Sequence, residues 1–265
     1  TPHAAIALSP SSPVGPGTVD VTLTPSEPLT EATLSVTWAD STTSDVTIAE
    51  DGNGDWVGSL TITSATAAGT ATFAFTGKDL AGNPGNIIDS GKTFVVDTVG
   101  PVATITLDPL SPATGGELAI EMMLDEPALA ASLSLTPAGK AAIDLTVEGF
   151  DLRLPNGNLW LDEWHQMEDG TYHTGAQHDT GSQVLTIGSA PFRRWRATIT
   201  ITETTSDGLA TFAFTGTDTA GNVGTTIADG ETFTIDANPP KAPVNLVAAK
   251  QPAGYFVLTW EAHPD

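Results

Sequence analysis

A chain of 265 residues with 40% hydrophobic content has enough apolar side chains for one large core or two ordinary ones, so disorder is not the default reading. Nine Lys plus Arg against 32 Asp plus Glu give a formal charge of -23, which argues against nucleic acid and anionic membrane surfaces as partners and for cations. There is no cysteine, hence no disulfide framework, thiolate metal site or cysteine nucleophile. No apolar run approaches the roughly 20 residues of a membrane helix. The amino terminus has no basic and apolar leader, so a soluble mature form or fragment without membrane insertion is expected. The dominance of Thr, Ser, Gly, Ala and Val is a usage associated with secreted bacterial β-proteins.

From the amino terminus, short alternating segments separated by Gly, Pro, Asn and Asp predict strands near Ala4–Leu8, Thr18–Thr24, Thr33–Trp38, Asp45–Ala49, Trp56–Thr63, Ala71–Gly77 and Lys92–Asp97. Seven strands in about 95 residues is the count of an immunoglobulin-like sandwich. Phe73 and Phe75 share one face of the sixth strand, and Trp56 opens the fifth as a core aromatic. The turn before it, "DGNGDW", spaces Asp51, Asn53 and Asp55 like a calcium loop. An EF-hand would need Gly and Glu at its sixth and twelfth positions, which hold Trp56 and Ile62. A hairpin turn is therefore expected there.

The pattern then repeats. "ATFAFTG" at Ala71–Gly77 recurs at Ala210–Gly216, "DLAGN" is answered by "DTAGN", and "GKTFVVD" by "GETFTID", all at an offset of 139. Upstream, "PSEPLTEATLSVT" answers "LDEPALAASLSLT" at an offset of 99, and the difference, 139 minus 99, is forty extra residues in copy two. Register places them in 148–194, where copy one has Ala49–Asp55. The expected organisation is sandwich 1–98, sandwich 99–237 with the insertion 148–194, and a segment 238–265.

The order "SEP"/"DEP", "DGNGDW", "DLAGN"/"DTAGN" and "VDTVGP"/"IDANPP" resembles the bacterial immunoglobulin-like repeats of large extracellular adhesins, across residues 1 to about 237. The insertion and the "FRRW" that replaces the hairpin in copy two have no counterpart in that pattern. After Asn238, "PPKAPVNLVAAKQPAGYFVLTWEAHPD" resembles the first two strands of a fibronectin type III domain, with Leu258 and Trp260 as its inward pair. The fold class implied is all-β: tandem immunoglobulin-like β-sandwiches, the second with a long loop insertion, plus a partial fibronectin III-like β-segment.

In a seven-strand sandwich the loops after strands two, four and six lie at one end. This gathers Glu27, Asp79 and Asn83 in copy one, and Glu126, Asp218 and Asn222 in copy two, beside Asp97 of the linker. Such an oxygen-rich junction suits Ca²⁺, which takes six to eight hard ligands. The bland alternative is that the Asp of "D-x-A-G-N" only bonds backbone N–H groups in an Asx turn, with Gly82 at positive φ.

The insertion concentrates Trp160, Trp164, His165, Tyr172 and Arg194, with Arg196 following at once, types enriched at binding surfaces. A cell-surface glycan or protein is the partner this suggests. The competing expectation is a two-stranded flap, turned at Asn156 and Gly157, whose Trp160 and Trp164 cover the sandwich end. His165, His173 and His178, with Glu168 and Asp169 nearby, match no closed metal motif. In "FRRWR", a core Trp195 between exposed arginines is expected.

No H-E-x-x-H, G-x-S-x-G or phosphate loop is present, and Asp162 and Glu163 are adjacent and so point apart on a strand. The chain reads as non-catalytic: a structural and adhesive segment at the cell surface, partnered by neighbouring domains or subunits of its own protein. A filament subunit that donates the strands of Val244–Trp260 is the remaining alternative.

Overall fold

The structure, a computed structural model, describes residues 1–160, 164–177, 179–238 and 244–261. It is all-β: two tandem sandwiches, an inserted sheet and a terminal hairpin.

The first sandwich contains β1 (His3–Ser9), β2 (Gly17–Pro25), β3 (Leu29–Thr37), β4 (Thr43–Val46), β5 (Ile48–Glu50), β6 (Trp56–Ile62), β7 (Gly69–Asp79), β8 (Pro84–Gly85), β9 (Ile87–Ser90) and β10 (Thr93–Val96). One sheet runs β5-β6-β2-β1-β9 and the other β10-β7-β3-β4. Alternation sends Val19, Val21 and Leu23 of β2 inward against Leu34, Val36, Phe73 and Phe75. Each such fully buried side chain contributes about 1.5–3 kcal/mol by leaving water.

The single strand expected at Asp45–Ala49 is divided. β4 pairs with β3 in one sheet, whereas β5 pairs with β6 in the other, so the chain changes layers at Thr47. Gly58 permits the crossing, since a Cβ there would stand 2.2 Å from the Thr47 carbonyl oxygen. β9, which lies parallel to β1, escaped the sequence reading because its Gly-, Asn- and Pro-rich flanks mask the alternation.

The hairpin at "DGNGDW" forms as expected. Glu50 pairs with Trp56, Asp51 Oδ1 accepts from Asn53 N at 2.8 Å and Asp55 N at 3.3 Å, and Gly52 and Gly54 take φ of 83° and 100°. Asp51 is thus occupied by its own turn, and the hairpin delivers Trp56 to the core edge.

The second sandwich continues with β11 (Val102–Asp108), β12 (Gly116–Thr136), β13 (Ile143–Leu145) and β14 (Glu148–Gly149). The inserted strands are β15 (Leu152–Arg153), β16 (Leu159–Trp160), β17 (Trp164–Gln166), β18 (Tyr172–Thr174) and β19 (Val184–Ile187). The sandwich resumes with β20 (Phe192–Ile201), β21 (Gly208–Asp218), β22 (Val223–Gly224), β23 (Thr226–Asp229) and β24 (Thr232–Ile235). β12 unites what are two strands in copy one. Its first half pairs with β11 and β20, its second with β13 and β21.

The ladders confirm the two offsets residue by residue. Leu23 faces Trp56, and Met122 faces Trp195. Ala49↔Val57 and Glu50↔Trp56 reappear as Glu148↔Arg196 and Gly149↔Trp195. Glu148 and Gly149 therefore still belong to the sandwich, and the added chain is 150–194 in place of 51–55. The two-residue difference arises because "EG" in copy two lacks the letters of "AE" while keeping its hydrogen bonds.

The insertion is not a two-stranded flap. It is a five-stranded sheet, β16-β15-β19-β18-β17, closed on its own core of Phe150, Leu152, Tyr172 and Leu185, with Leu154, Trp160 and Trp164 packed against it. The hairpin at Asn156–Gly157 is present, with Gly157 at φ 86° and Leu152 facing Trp160. Two strands cannot enclose four aromatic rings; three more provide the second wall.

The terminal hairpin is β25 (Val244–Lys250) and β26 (Phe256–Glu261). Leu258 and Trp260, the expected inward pair, are 54% and 59% exposed, because this two-stranded sheet packs on no other described element.

Candidate functional site

The acidic residues converge where the first sandwich meets the second. Asp97 ends the first sandwich, with its N–H donated to Val14 O at 3.0 Å and its Oδ1 accepting from Val99 N at 3.2 Å. Glu126 sits midway along β12, beside Asp125, whose Oδ1 accepts from Val102 N at 2.8 Å and so fastens the far end of the linker. Asp218 ends β21 and is 1% exposed. One carboxylate oxygen from each of Asp97, Glu126 and Asp218 lies within 4.8 Å of the others.

Asp218 owes its position to the "DTAGN" loop. Its Oδ1 accepts from Ala220 N and Asn222 N, both at 2.8 Å, and its Oδ2 from Asn222 Nδ2 at 2.8 Å. The Asx turn is thus present and coexists with the acidic cluster instead of replacing it. Asn222 Nδ2 also donates to Asp97 O at 3.0 Å, so this side chain clamps linker to loop. Having committed its N–H groups, Asn222 has only Oδ1 to offer as a ligand.

Close contact across the joint depends on two glycines. A Cβ on Gly15 would stand 2.3 Å from Ala220 O, and one on Gly100 2.4 Å from the Val223 carbonyl carbon.

The three carboxylates repel one another. Partial burial, then the charges of Asp97, Asp218 and Asp125, push Glu126 from 4.5 up to about 7. A carboxyl whose pKa is raised by folding stabilises the fold most when protonated. That stability is complete below about pH 4.5 and is lost as pH rises to about 7. Without divalent cations, raising the pH through this window is expected to cost about 1–2 kcal/mol after allowance for solvent screening. Thermal melts of wild type and Glu126→Gln across the window measure it: the variant should show no such slope.

The equivalent end of copy one is different. Asp79 makes the same turn, accepting from Ala81 N and Asn83 N at 2.8 Å and Asn83 Nδ2 at 2.7 Å; chiefly these Asn83 bonds hold its carboxyl below the usual range. Glu27 faces the Thr1 ammonium at 3.4 Å. Among the described residues Glu27 and Asp79 gather no third carboxylate at ligand spacing.

In the insertion, Asp151 is buried and accepts from Arg193 N at 2.8 Å and Arg194 N at 2.7 Å, rooting the added sheet on β20. The sequence reading passed over this carboxylate; its only signal was an acid at the start of a long insertion. Arg194, expected on the surface, is 4% exposed, with Nε 3.8 Å from Glu121 Oε1. Arg196 lies 4.2 Å over the Phe150 ring, donates to Tyr172 Oη at 3.1 Å and faces Glu148 at 3.6 Å. Tyr172 is therefore a core residue and Arg196 a strap between sandwich and insertion. Trp160 and Trp164 are half-buried.

A cleft of about 520 Å³ separates the insertion from the outer face of the sandwich, lined among others by Glu117, Glu121, Trp164, Gln166, Arg196 and Thr198. His165 faces His173 across β17 and β18. Asp162, Glu163 and His178 lie outside the described residues.

No protein-family model matches the chain, and no curated protein sequence matches it. Solved structures resemble it at low identity. One is a tetra-tandem repeat in the extending region of a large adhesion protein, 13% identical, covering 99% of this chain and 63% of that one, with a TM-score of 0.31. A second belongs to a 1.5-MDa bacterial ice-binding adhesin, 15% identical over 90% of this chain and 98% of that one, with a TM-score of 0.35. A third is a marsupial T cell receptor, 10% identical over 94% and 77%, with a TM-score of 0.44.

Proposed function

We propose that this chain is a non-catalytic, rod-forming segment of an extracellular bacterial surface protein, in which a calcium ion stiffens the joint between sandwiches. The observation that carries the reading is the meeting of Asp97, Glu126 and Asp218, from linker and second sandwich, within ligand distance of one another. Their hard carboxylate oxygens suit Ca²⁺, and the Asp97 and Asp218 carboxylates are already oriented by N–H donors. A bound divalent cation supplies the positive charge that Glu126 otherwise obtains by keeping its proton.

Neutralising the cluster joins linker and loop, so the angle between sandwiches becomes fixed. The partners of such a segment are neighbouring domains or subunits of its own protein. Calcium titration followed by melting and small-angle scattering tests this. Ca²⁺ at a hundredfold excess over its Kd adds about 2.7 kcal/mol. That is roughly 5–10 °C for a domain of this size. Scattering should narrow to one extended shape. Absence of either response in millimolar calcium would remove the ion from the joint.

A further inference from the structure

We propose that His165 and His173 form a binding site for a divalent transition metal of the Zn²⁺ class, on the face of the inserted sheet opposite its aromatic core. The inference is independent of the calcium joint, which uses other residues and a different ligand chemistry.

His165 and His173 are directly opposite in the β17–β18 ladder, flanked by Trp164↔Thr174 and Gln166↔Tyr172. Because Trp164 and Tyr172 point into the core, alternation sends both imidazoles to the other face. Their rings are half-buried, 5.7 Å apart between centroids and inclined by 24°. Two imidazoles on one tetrahedral ion, each nitrogen about 2 Å from it, place their centroids about 5–6 Å apart.

The hydrogen bonds decide where each neutral ring carries its lone pair. His165 Nδ1 lies 2.7 Å from Gly175 O; a carbonyl only accepts, so Nδ1 bears the proton and Nε2 the lone pair. His173 Nε2 lies 3.1 Å from Thr171 Oγ1, whose single proton is donated to Asp169 Oδ1 at 2.7 Å. His173 Nε2 must therefore be the donor, and its lone pair is on Nδ1. A backbone carbonyl behind one ring and a Thr–Asp relay behind the other are what metal-ligating histidines use to set tautomer and orientation.

Imidazole nitrogen selects Zn²⁺, Cu²⁺, Ni²⁺ or Co²⁺ over Ca²⁺, and the strongly acidic chain favours a cation. Two imidazoles supply two of the four ligands of a tetrahedral ion. Bound metal would tie β17 to β18 next to Gly175, where the connection toward β19 begins.

Long-range proton–nitrogen NMR on the whole chain is the test, with Zn²⁺ as the probe. Before addition, His165 should be protonated at Nδ1 and His173 at Nε2; Zn²⁺ should then move His165 Nε2 and His173 Nδ1, while Ca²⁺ moves neither. Zn²⁺ affinity should fall by about tenfold or more in His165→Gln and His173→Gln, and by about tenfold in Thr171→Val. Asp97→Asn, at the joint, should leave it unchanged. Reversed tautomers, unmoved nitrogens in excess Zn²⁺, or a double variant that binds like wild type would each overturn the site. The wild-type spectra decide even if a variant loosens the inserted sheet.

Discussion

Asp218→Ala is expected to cost the second sandwich about 3 kcal/mol and to abolish its response to calcium. The carboxylate is buried and accepts three N–H groups, two from backbone and one from Asn222. Truncation leaves those donors without an acceptor in a site water barely reaches, at about 1–3 kcal/mol for each buried group fully stranded. It also frees Asn222, whose other bond holds the linker carbonyl of Asp97.

Asp79→Ala is the matched control, because it removes the same three bonds from the same loop of the first sandwich. Both variants should lower their own sandwich's melting temperature by a similar amount. Only Asp218→Ala should erase the calcium-dependent rise of the second transition. Equal calcium responses in the two variants would place the ion elsewhere.

Phe150→Ala is expected to melt the inserted sheet while both sandwiches stay folded. Phe150 is 1% exposed, meets Trp164 and Tyr172 edge-on at 5.1 Å each, and lies beneath the Arg196 guanidinium. Removing a buried Phe costs about 3–5 kcal/mol. The inserted core has four buried residues, too few to absorb that loss. β14 and β20 have their own ladders to the sandwich, so unfolding should stop at the root held by Asp151. Limited proteolysis should cut within 150–190 and leave a protected remainder, with amide exchange accelerated in the insertion alone. Loss of the entire second sandwich would instead show that insertion and sandwich share one cooperative core.

The amino-acid sequence by itself determined the parts of this protein that repeat. Alternation in "VTL", "LSV" and "TFAF" is a local signal for a half-buried strand, and its recurrence at two offsets identified the sandwiches and the place of the insertion. The turn at Asp51–Asp55 was legible for the same reason, since its hydrogen bonds close within five residues. Counting loops was enough to bring Asp97, Glu126 and Asp218 to one junction.

What only the tertiary structure decided depends on contacts between segments distant in the chain. The layer change at Thr47 follows from which neighbour each half of the segment pairs with. The burial of Arg194, whose guanidinium faces Glu121 of β12, depends on a residue far away in the chain, and the short strands of the insertion carry too few residues for a period to show. The same holds for the histidines: their spacing matches no motif, because a β-ladder, rather than a helical turn or a tight loop, sets His165 opposite His173. Asn222 looked like a ligand because of its residue type, and its bond to a carbonyl 125 residues away makes it the clamp of the joint. Local patterns encode strands and turns; long-range pairing decides which side chains meet, and that is where the chemistry of this chain resides.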